Sequence, residues 1–323
     1  MLSFEGSRML SEIISVPRAW DAASLDDRSR WYFAIPADLL AALERTLREL
    51  PIATVPVTSF QAADSPCGDF GPCLEPVREA LQTGRGFVII DGISPERFST
   101  EEMRAIYWLL GQLLGRPMIQ NVQGTLLYDV RDTGQSLEHG ARFSVTSYES
   151  SFHTDNSFGE SVLDTVGLLC LQSARSGGLS QVVSGYAVHN RLLRDHADVL
   201  PTLYQPFQVE RRGGVRAGEG PAIPMPIFAW DGADLIVRYL RYWIQAGHEK
   251  IGKPLTSTQV KALDVLDNVL AQRDLVAEFM LQPGQMFFIN NRTMFHNRTA
   301  FDDWPQLERR RHYLRLWLQN SHA

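Results

Sequence analysis

The sequence predicts a mostly β fold with flanking helices, built around a double-stranded β-helix (jelly-roll) core. Three observations predict it. Short apolar runs bounded by glycine, proline and other turn residues recur along the chain, as expected for strands. Runs with helical spacing lie mainly in the N-terminal part and in one middle stretch. Candidate metal ligands come from two stretches far apart in sequence, as happens when the mouth of a barrel gathers side chains from different strands.

The composition narrows the class of protein. The chain has 323 residues, 44% of them hydrophobic, and a formal net charge of −6. This length supports a large buried core, and by itself allows either two domains or one elaborated β-domain. Nucleic acid is not an expected partner, because the only basic block is Arg309-Arg310-Arg311. We see neither a signal peptide nor a membrane-spanning run, so we expect a cytoplasmic protein with a small-molecule substrate and no membrane partner; the sequence leaves the oligomeric state open.

The cysteines favour neither a disulfide scaffold nor a thiolate metal site. Cys67, Cys73 and Cys170 are odd in number and form no CxxC pair. A bridge between Cys67 and Cys73 remains an alternative to two reduced thiols in a loop rich in proline and glycine.

The first part of the chain, residues 1–75, is predicted to be an extension of helices and loops packed on the core. Leucines at helical spacing predict a helix over 36–50, which Pro51 ends. A loop rich in proline, glycine and serine follows over 51–76, and a short helix is expected over 75–82. Residues 76–323 are then the jelly-roll domain, with 185–275 as an insertion or lid.

The jelly-roll domain is predicted to begin with a buried strand over 86–92. A helix follows, with Thr100 as its N-cap, and ends at Gly115. The stretch 118–129 alternates like a strand, which would place Asn121 and Gln123 on one face. These two side chains either line a pocket or are exposed.

Further elements are predicted in order along the rest of the chain. They are a metal-bearing strand over 150–158, strands over 162–171 and from Gln181, a helix over 188–200, a loop over 205–226, an apolar stretch over 235–244, a helix from Thr256 or Ser257, two strands separated by a Pro-Gly turn over 279–289, and a last strand over 313–318.

The stretch Phe152-His153-Thr154-Asp155-Asn156 carries the first chemical signal. Residues i and i+2 of an extended strand point to the same face, so His153 and Asp155 would converge. His296 supplies a third ligand from a later strand. Two histidines and one carboxylate form the facial triad of non-heme Fe(II) oxygenases. The alternative for His-x-Asp alone is a surface turn with a solvated histidine.

A second signal lies near the C-terminus. Three coordination positions left open by the triad can take a 2-oxo acid and O2, and the far carboxylate of that acid needs a buried cation. Arginine suits it because its planar fork binds a carboxylate through two hydrogen bonds. Arg311 and Arg315 share a face of the last strand, and Ser180 offers a hydroxyl beside them. The alternative, a solvated basic turn, fits Arg309 and Arg310 better than this pair.

An ordered set of motifs resembles a known family. The set is His153-Thr154-Asp155, Gly177-Gly178-Leu179-Ser180, Asn291-Arg292, His296-Asn297-Arg298-Thr299-Ala300-Phe301 and Arg311-His312-Tyr313-Leu314-Arg315. It is similar to the Fe(II)/2-oxoglutarate-dependent dioxygenases of the taurine dioxygenase (TauD/TfdA) family, which includes clavaminate-synthase-like enzymes. The resemblance covers roughly residues 84–320, and the combination is more specific than any one motif.

The resemblance implies roles for individual residues. His153, Asp155 and His296 would be the catalytic iron ligands, and Arg311 would hold the C5 carboxylate of 2-oxoglutarate. Ser180 stands where the family has a threonine that contacts the cosubstrate. Arg315 matches an arginine that contacts substrate in some relatives and supports 2-oxoglutarate in others.

Asp155 also sets the expected chemistry, because halogenases of this kind have a small residue at the position of the carboxylate. An intact Asp155 therefore favours oxygenation. Residues that hold the sulfonate of taurine in the family cannot be traced in this sequence, so taurine itself is not the expected substrate.

The implied function is oxidation, foremost hydroxylation, of an unactivated C–H bond in a small polar substrate, amino-acid-like or a natural product, with release of succinate and CO2. Candidate substrate contacts are Asn121, Gln123, Tyr148, Glu149 and Arg212. The alternatives are desaturation or cyclisation by the same iron chemistry, a cupin-type iron enzyme that does not use 2-oxoglutarate, and a metal-free jelly-roll binding module.

Overall fold

The computed structural model describes residues 8–132, 146–159, 161–211 and 218–320. The helices within these ranges are α1 (Ala37–Glu49), α2 (Glu75–Gln82), α3 (Thr100–Leu114), α4 (Gly185–Asp195), α5 (Leu200–Leu203), α6 (Arg241–Lys250) and α7 (Ser257–Leu270). The strands are β1 (Tyr32–Ala34), β2 (Phe87–Asp91), β3 (Arg116–Pro117), β4 (Leu127–Val130), β5 (Thr165–Gln172), β6 (Ser176–Gly177), β7 (Ser180–Ser184), β8 (Phe207–Glu210), β9 (Ala222–Met225), β10 (Phe228–Trp230), β11 (Leu235–Val237), β12 (Val276–Phe279), β13 (Met286–Asn290), β14 (Met294–Arg298), β15 (Phe301–Asp302) and β16 (His312–Gln319).

The larger sheet has seven strands. Strands β1, β2, β13, β5, β16 and β3 lie side by side in that order, and β4 pairs with β16. Only β1 and β2 run parallel within this sheet. Helices α1, α2 and α3 cover one face, where Leu43, Val77 and Leu109 pack with Phe288 and Leu316 of the sheet. This contact buries the helical leucine stripes that the sequence shows.

The smaller sheet has the strand order β12, β7, β14 and faces the larger one. Val182 and Met294 of the smaller sheet share a buried cluster with Ile89, Phe287 and Tyr313 of the larger sheet. Two packed antiparallel sheets with helices on the outside are the double-stranded β-helix core that the sequence predicts. The predicted fold class is therefore confirmed.

The chain between β7 and β12, two strands of the smaller sheet, packs around an apolar cluster outside that sheet. Helices α4 and α7, the strand pairs β8–β9 and β10–β11, and α6 enclose an apolar cluster that includes Leu192, Phe228 and Leu263. The prediction of a loop over 205–226 is wrong in part, because Phe207 pairs with Met225 in an antiparallel ladder. In β8, Phe207 and Val209 are buried and alternate with the partly buried Gln208. This pattern is too short to predict a strand in a stretch rich in glycine and proline.

Two other predicted elements differ in the structure. The strand expected over 118–129 is mostly a turn, because the side-chain oxygen of Asn121 accepts hydrogen bonds from the main chains of Gln123 and Thr125. The N-cap of α3 is Ser99, not Thr100. Ser99 and Glu102 form a reciprocal capping box, which uses a glutamate three residues into the helix.

Most of the other predicted elements are close to their expected positions. Helices α1, α2 and α7 and strands β2, β7, β13 and β16 begin and end within a few residues of the predictions. Helix α4 begins at Gly185, three residues earlier than predicted, because Ser184 caps it, and it ends at Asp195, five residues before the predicted end. No helix in the described ranges is long and apolar enough to cross a membrane.

Candidate active site

The three predicted metal ligands meet at one point. The Nε2 atom of His153 lies 3.5 Å from Oδ1 of Asp155, and Nε2 of His296 lies 3.7 Å from the same oxygen. All three ligand atoms lie within 4.8 Å of one another. Asp155 and His296 are buried, and His153 is partly buried. The side chains of His153, Asp155 and His296 thus converge as the sequence predicts.

The main chain holds these ligands in place. His153 and His296 form an isolated antiparallel β-bridge, in which each N–H donates to the other carbonyl at 2.9 Å. The side chain of Asn291 accepts from the N–H of Asp155 at 2.7 Å and donates to its carbonyl at 2.9 Å. The predicted strand over 150–158 is reduced to this single bridge, because Ser151 and Asn156 adopt positive φ angles on either side. His153 and Asp155 still converge.

His153 is arranged to offer the lone pair of its Nε2 atom. The Nδ1 atom of His153 lies 2.9 Å from the carbonyl of Ser151. A carbonyl can only accept, so Nδ1 carries the proton and Nε2 is free to bind a metal. Burial lowers the pKa of His296, and the neighbouring His153 lowers it further, against the opposing effect of Asp155. Both effects favour the neutral imidazole that metal coordination requires.

Asp155 is held as a carboxylate. Burial alone raises the pKa of Asp155, but Arg315 and the imidazoles of His153 and His296 outweigh burial and hold this pKa well below its ordinary value. The Nη1 atom of Arg315 lies 3.0 Å from Oδ2 of Asp155, and the indole N–H of Trp317 donates to Oδ2 at 2.7 Å. The remaining oxygen, Oδ1, faces the two histidines.

These residues fit a divalent iron. Two imidazole nitrogens and one carboxylate oxygen on one side are the donor set of mononuclear non-heme Fe(II) oxygenases. Donors bound to one ion at about 2.1 Å lie about 3 Å apart. Oδ1 of Asp155 lies 3.5 and 3.7 Å from the two imidazole nitrogens, so a bound ion would draw the donors closer together. His153, Asp155 and His296 would therefore hold the ion, and the cavity beside them leaves its other positions accessible.

That cavity has a volume of about 360 Å³, within the range of small-molecule sites. Its walls combine apolar and aromatic side chains with a few polar ones. The apolar and aromatic lining includes Val166, Leu168, Phe287, Ile289, Phe158, Tyr242 and Trp243. The polar lining includes Gln120, Asn156, Ser157, Ser180, Asn297, Arg298, Arg311 and Arg315.

Arg311 is a buried cation on the wall of this cavity. Its guanidinium lies 3.8 Å from the ring centroid of Tyr313 and 5.3 Å from that of Phe301. Its Nε atom has no hydrogen-bond partner, and no carboxylate in the described ranges forms an ion pair with it. A buried arginine without a counter-ion is costly, so its position predicts an anionic ligand.

The glycine pair before Ser180 lets the chain approach Arg311. Gly177 and Gly178 have φ angles of 70° and 73°, which disfavour other residues. A Cβ atom on Gly178 would lie 3.3 Å from Nε of Arg311. Ser180 follows at the start of β7, buried and beside Arg298 in the strand register. The motif thus places a hydroxyl on the same cavity wall as Arg311.

Comparison with known sequences identifies the family. The sequence model described as "Taurine catabolism dioxygenase TauD, TfdA family" matches residues 53–317, which is most of the chain. The chain belongs to the TauD/TfdA family. The predicted family, enzyme class and cofactors are thereby confirmed, and the protein is an iron- and 2-oxoglutarate-dependent dioxygenase.

Two named proteins are similar in sequence to this TauD/TfdA enzyme over most of its length. It is 24% identical over 317 residues to FR-33289 synthase of Streptomyces rubellomurinus (strain ATCC 31215), with 96% of this chain and 91% of that protein covered. It is 26% identical over 259 residues to taurine hydroxylase-like protein SAT17 of Stachybotrys chartarum (strain CBS 109288 / IBT 7711), with 76% and 64% covered.

Solved structures of similar fold include two amino-acid-related oxygenases. Asparagine oxygenase in complex with Fe(II), 2S,3S-3-hydroxyasparagine and succinate has a TM-score of 0.64 at 18% identity, with 89% of this chain and 93% of that chain covered. Non-heme iron oxygenase OrfP in complex with Fe and alpha-ketoglutaric acid has a TM-score of 0.65 at 17% identity, with 90% and 94% covered. At these identities the likeness shows the shared fold.

The substrate residues predicted for this TauD/TfdA enzyme differ in their positions relative to the cavity. Asn121 and Gln123 belong to the turn before β4 and do not line the cavity; their neighbour Gln120 does. Tyr148 is 60% exposed. Glu149 reaches the site indirectly, by accepting from Asn297 at 2.9 Å. Arg212 lies outside the described residues.

Several cavity residues were not predicted. Trp317 shares strand parity with Arg311 and Arg315, so its face was recognisable, but its contact with Asp155 was not. The side chain of Gln120 accepts a hydrogen bond from Arg315. The sequence does not indicate this contact, because the turn around Gln120 has the alternating pattern of a strand. Tyr242 and Trp243 begin α6, and nothing in their spacing indicated a cavity.

Proposed function

We propose that this dioxygenase hydroxylates an aliphatic C–H bond of a small acidic, amino-acid-like substrate, with 2-oxoglutarate as cosubstrate and succinate and CO2 as coproducts. One observation carries the proposal: a buried His-Asp-His triad and an unpaired buried arginine line the same cavity. The triad suits Fe(II), and the arginine suits the distal carboxylate of a 2-oxo diacid.

The residue roles follow from the contacts. His153, Asp155 and His296 hold the iron, which when bound supplies the activation of O2. Arg311 and Ser180 bind the C5 carboxylate of 2-oxoglutarate; this is supported by the missing counter-ion of Arg311 and by the glycine pair that brings Ser180 to the same wall. Apolar side chains such as Leu168 and Phe287 exclude water around the reacting carbon.

An acidic substrate is supported by a third arginine of the cavity, besides Arg311 and Arg315. Arg298 lines the cavity, and burial, together with the neighbouring Arg311, lowers the pKa of Arg298 to about 9. The hydroxyl of Ser157 is buried in the lining without a hydrogen-bond partner, and the Asn156 amide lies beside it. These groups suit a compact molecule with an anionic end and further polar groups.

The amino-acid character is supported by the relatives. The structures of similar fold contain 2S,3S-3-hydroxyasparagine and, in OrfP, (3S)-hydroxy-L-Arg. Both ligands are hydroxylated amino acids, which also favours hydroxylation over desaturation or cyclisation for this chain.

We further propose that residues 185–275 form a lid over the cavity, with Leu240, Tyr242 and Trp243 contributing its inner surface. Residues 1–75 are proposed to be an extension packed on the core. We also propose that the enzyme is cytoplasmic.

A coupled assay tests the proposal. Purified enzyme with Fe(II), 2-oxoglutarate and O2 is screened against acidic and N-acylated amino acids and small natural-product acids, with succinate release and product mass as readouts. We expect substrate-dependent succinate and a product heavier by one oxygen. A product lighter by two hydrogens would replace hydroxylation with desaturation or cyclisation. Turnover without 2-oxoglutarate would favour the cupin-type alternative.

A further inference from the structure

The two oxygens of the Asp155 carboxylate have different neighbours. Oδ1 faces the Nε2 atoms of His153 and His296 at 3.5 and 3.7 Å. Oδ2 accepts from the indole N–H of Trp317 at 2.7 Å and lies 3.0 Å from Nη1 of Arg315. Two donors thus occupy the oxygen that points away from the histidines.

Both donors are themselves held in place. The Nε atom of Arg315 donates to the side-chain oxygen of Gln120 at 2.8 Å, and the Gln120 amide donates back to the carbonyl of Arg315 at 2.8 Å. The guanidinium of Arg315 lies 5.2 Å from the ring of Trp317. The main chain of Trp317 is fixed in β16, where its carbonyl accepts from Met118. These contacts favour the positions in which both donors reach Oδ2.

We propose that Trp317 is a positioning residue for the metal ligand: with Arg315 it occupies Oδ2, so that Asp155 coordinates through Oδ1 alone. The inference rests on the proposed function, because it requires that the triad holds a metal. It assigns Arg315 to the ligand carboxylate rather than to 2-oxoglutarate, which is the task of Arg311.

The number of carboxylate oxygens that bind the metal ion determines how many of its coordination positions stay open. Two imidazoles and one carboxylate oxygen fill three of six octahedral positions. Two of the remaining positions suit the 2-oxo acid and one suits O2. An aspartate bound through both oxygens would leave only two. By occupying Oδ2, Trp317 and Arg315 preserve the third open position.

The test compares two Trp→Phe variants, each of which lacks one indole N–H donor of the native protein. Trp317→Phe removes the donor to Asp155, and Trp108→Phe removes a donor to the carbonyl of Phe60 at 2.9 Å, in the helical layer. The probe is Co(II), added to metal-free protein without 2-oxoglutarate, and the readouts are binding affinity and the visible ligand-field spectrum. We expect Trp317→Phe to bind Co(II) about 10- to 100-fold more weakly with an altered spectrum, since outer partners of metal ligands commonly have effects of that size.

The control and a second variant keep the test decisive. Trp108→Phe should retain the affinity and spectrum of the native protein. If Trp317→Phe does not fold, β-(3-benzothienyl)alanine at position 317 keeps the ring shape and removes only the N–H donor. Unchanged affinity and spectrum in a folded position-317 variant would overturn the role of Trp317. Failure of the native protein to bind Co(II) would instead overturn the proposed function, and with it the premise of the inference.

Discussion

The main chains of His153 and His296 exchange two hydrogen bonds of 2.9 Å across a single β-bridge. This bridge joins a stretch with little regular structure to β14 of the smaller sheet. The metal ligands therefore come together only when that sheet has formed. Metal binding and folding of this region should be thermodynamically linked.

The linkage predicts that metal stabilises the protein through the triad. Fe(II) or Co(II) at about 100 times its dissociation constant should raise the free energy of unfolding by about 2.7 kcal/mol. The Asp155→Ala variant should fold but show no such increase, because one of three ligands is lost. Anaerobic thermal unfolding with and without metal measures it. Equal stabilisation of both proteins would place the metal elsewhere.

Arg311 should control the affinity for 2-oxoglutarate. Arg311→Ala removes the buried guanidinium, and the loss of a charge-assisted hydrogen-bonded pair should raise the KM for 2-oxoglutarate about 10- to 100-fold. Arg309→Ala is the matched control, because Arg309 is exposed on the turn just before β16. Steady-state succinate formation measures both variants. An unaltered KM in Arg311→Ala would move the anchor to another cation, with Arg315 next.

Asn291 should contribute both to stability and to the site. Its buried side chain bonds the N–H and carbonyl of Asp155 and the carbonyl of Leu163. Asn291→Ala should lower the free energy of unfolding by about 3 kcal/mol and also weaken Co(II) binding, because the ligand stretch loses its support.

The neighbouring Asn290 provides the comparison. It is also buried and donates to the carbonyl of Leu81 at 3.0 Å, away from the triad. Asn290→Ala should therefore destabilise the protein without changing Co(II) affinity. Urea denaturation and metal titration separate the two effects. Equal Co(II) affinity in both variants would show that Asn291 does not position the ligand stretch.

Buried His189 should make stability depend on pH. Its Nε2 atom lies 2.8 Å from the hydroxyl of Tyr204, and burial lowers the pKa of His189 to about 4. The unfolded chain takes up a proton near pH 6.5, but the folded protein does not. The contribution of neutral His189 to the free energy of unfolding is therefore complete above about pH 6.5. This contribution decreases as the pH falls toward 4, by about 2 kcal/mol at pH 5.

Urea denaturation of the His189→Gln variant at several pH values tests whether His189 causes this pH dependence. The variant should lose less stability than the native protein between pH 7 and pH 5, because the glutamine does not titrate. His196→Gln, at the end of α4 and outside the His189–Tyr204 pair, should keep the native pH dependence. An identical pH dependence in all three proteins would assign the effect to other groups.

Local patterns in the sequence predicted many of the elements, and motifs in a fixed order along the chain predicted the metal ligands. The leucine stripe of α1, the Pro-Gly turn before β13 and the parity of β16 all depend on residues close in sequence, and the structure has these elements near their predicted positions. His-x-Asp alone is a weak signal, and His153 and Asp155 were recognisable as metal ligands because His296 and the other motifs of the ordered set accompany them. Arg311 stood out because an unpaired cation in an apolar strand is costly.

The cavity lining beyond these motifs depends on contacts between distant segments. Gln120 lines the cavity because its turn packs against Arg315, and Trp317 acts on Asp155 across the core. No local pattern encodes either contact. The polar residues Asn121 and Gln123 were chosen by strand parity, but the side chain of Asn121 closes a turn on its own main chain.

The most direct test of the central claim is spectroscopic. Fe(II) and then 2-oxoglutarate are added without oxygen to the metal-free protein, and the visible metal-to-ligand charge-transfer band of the chelate is recorded. We expect the band in the native protein, its loss in Asp155→Ala, and a higher 2-oxoglutarate concentration for its formation in Arg311→Ala. Iron binding without the band, or no iron binding at the triad, would contradict the assignment of this site.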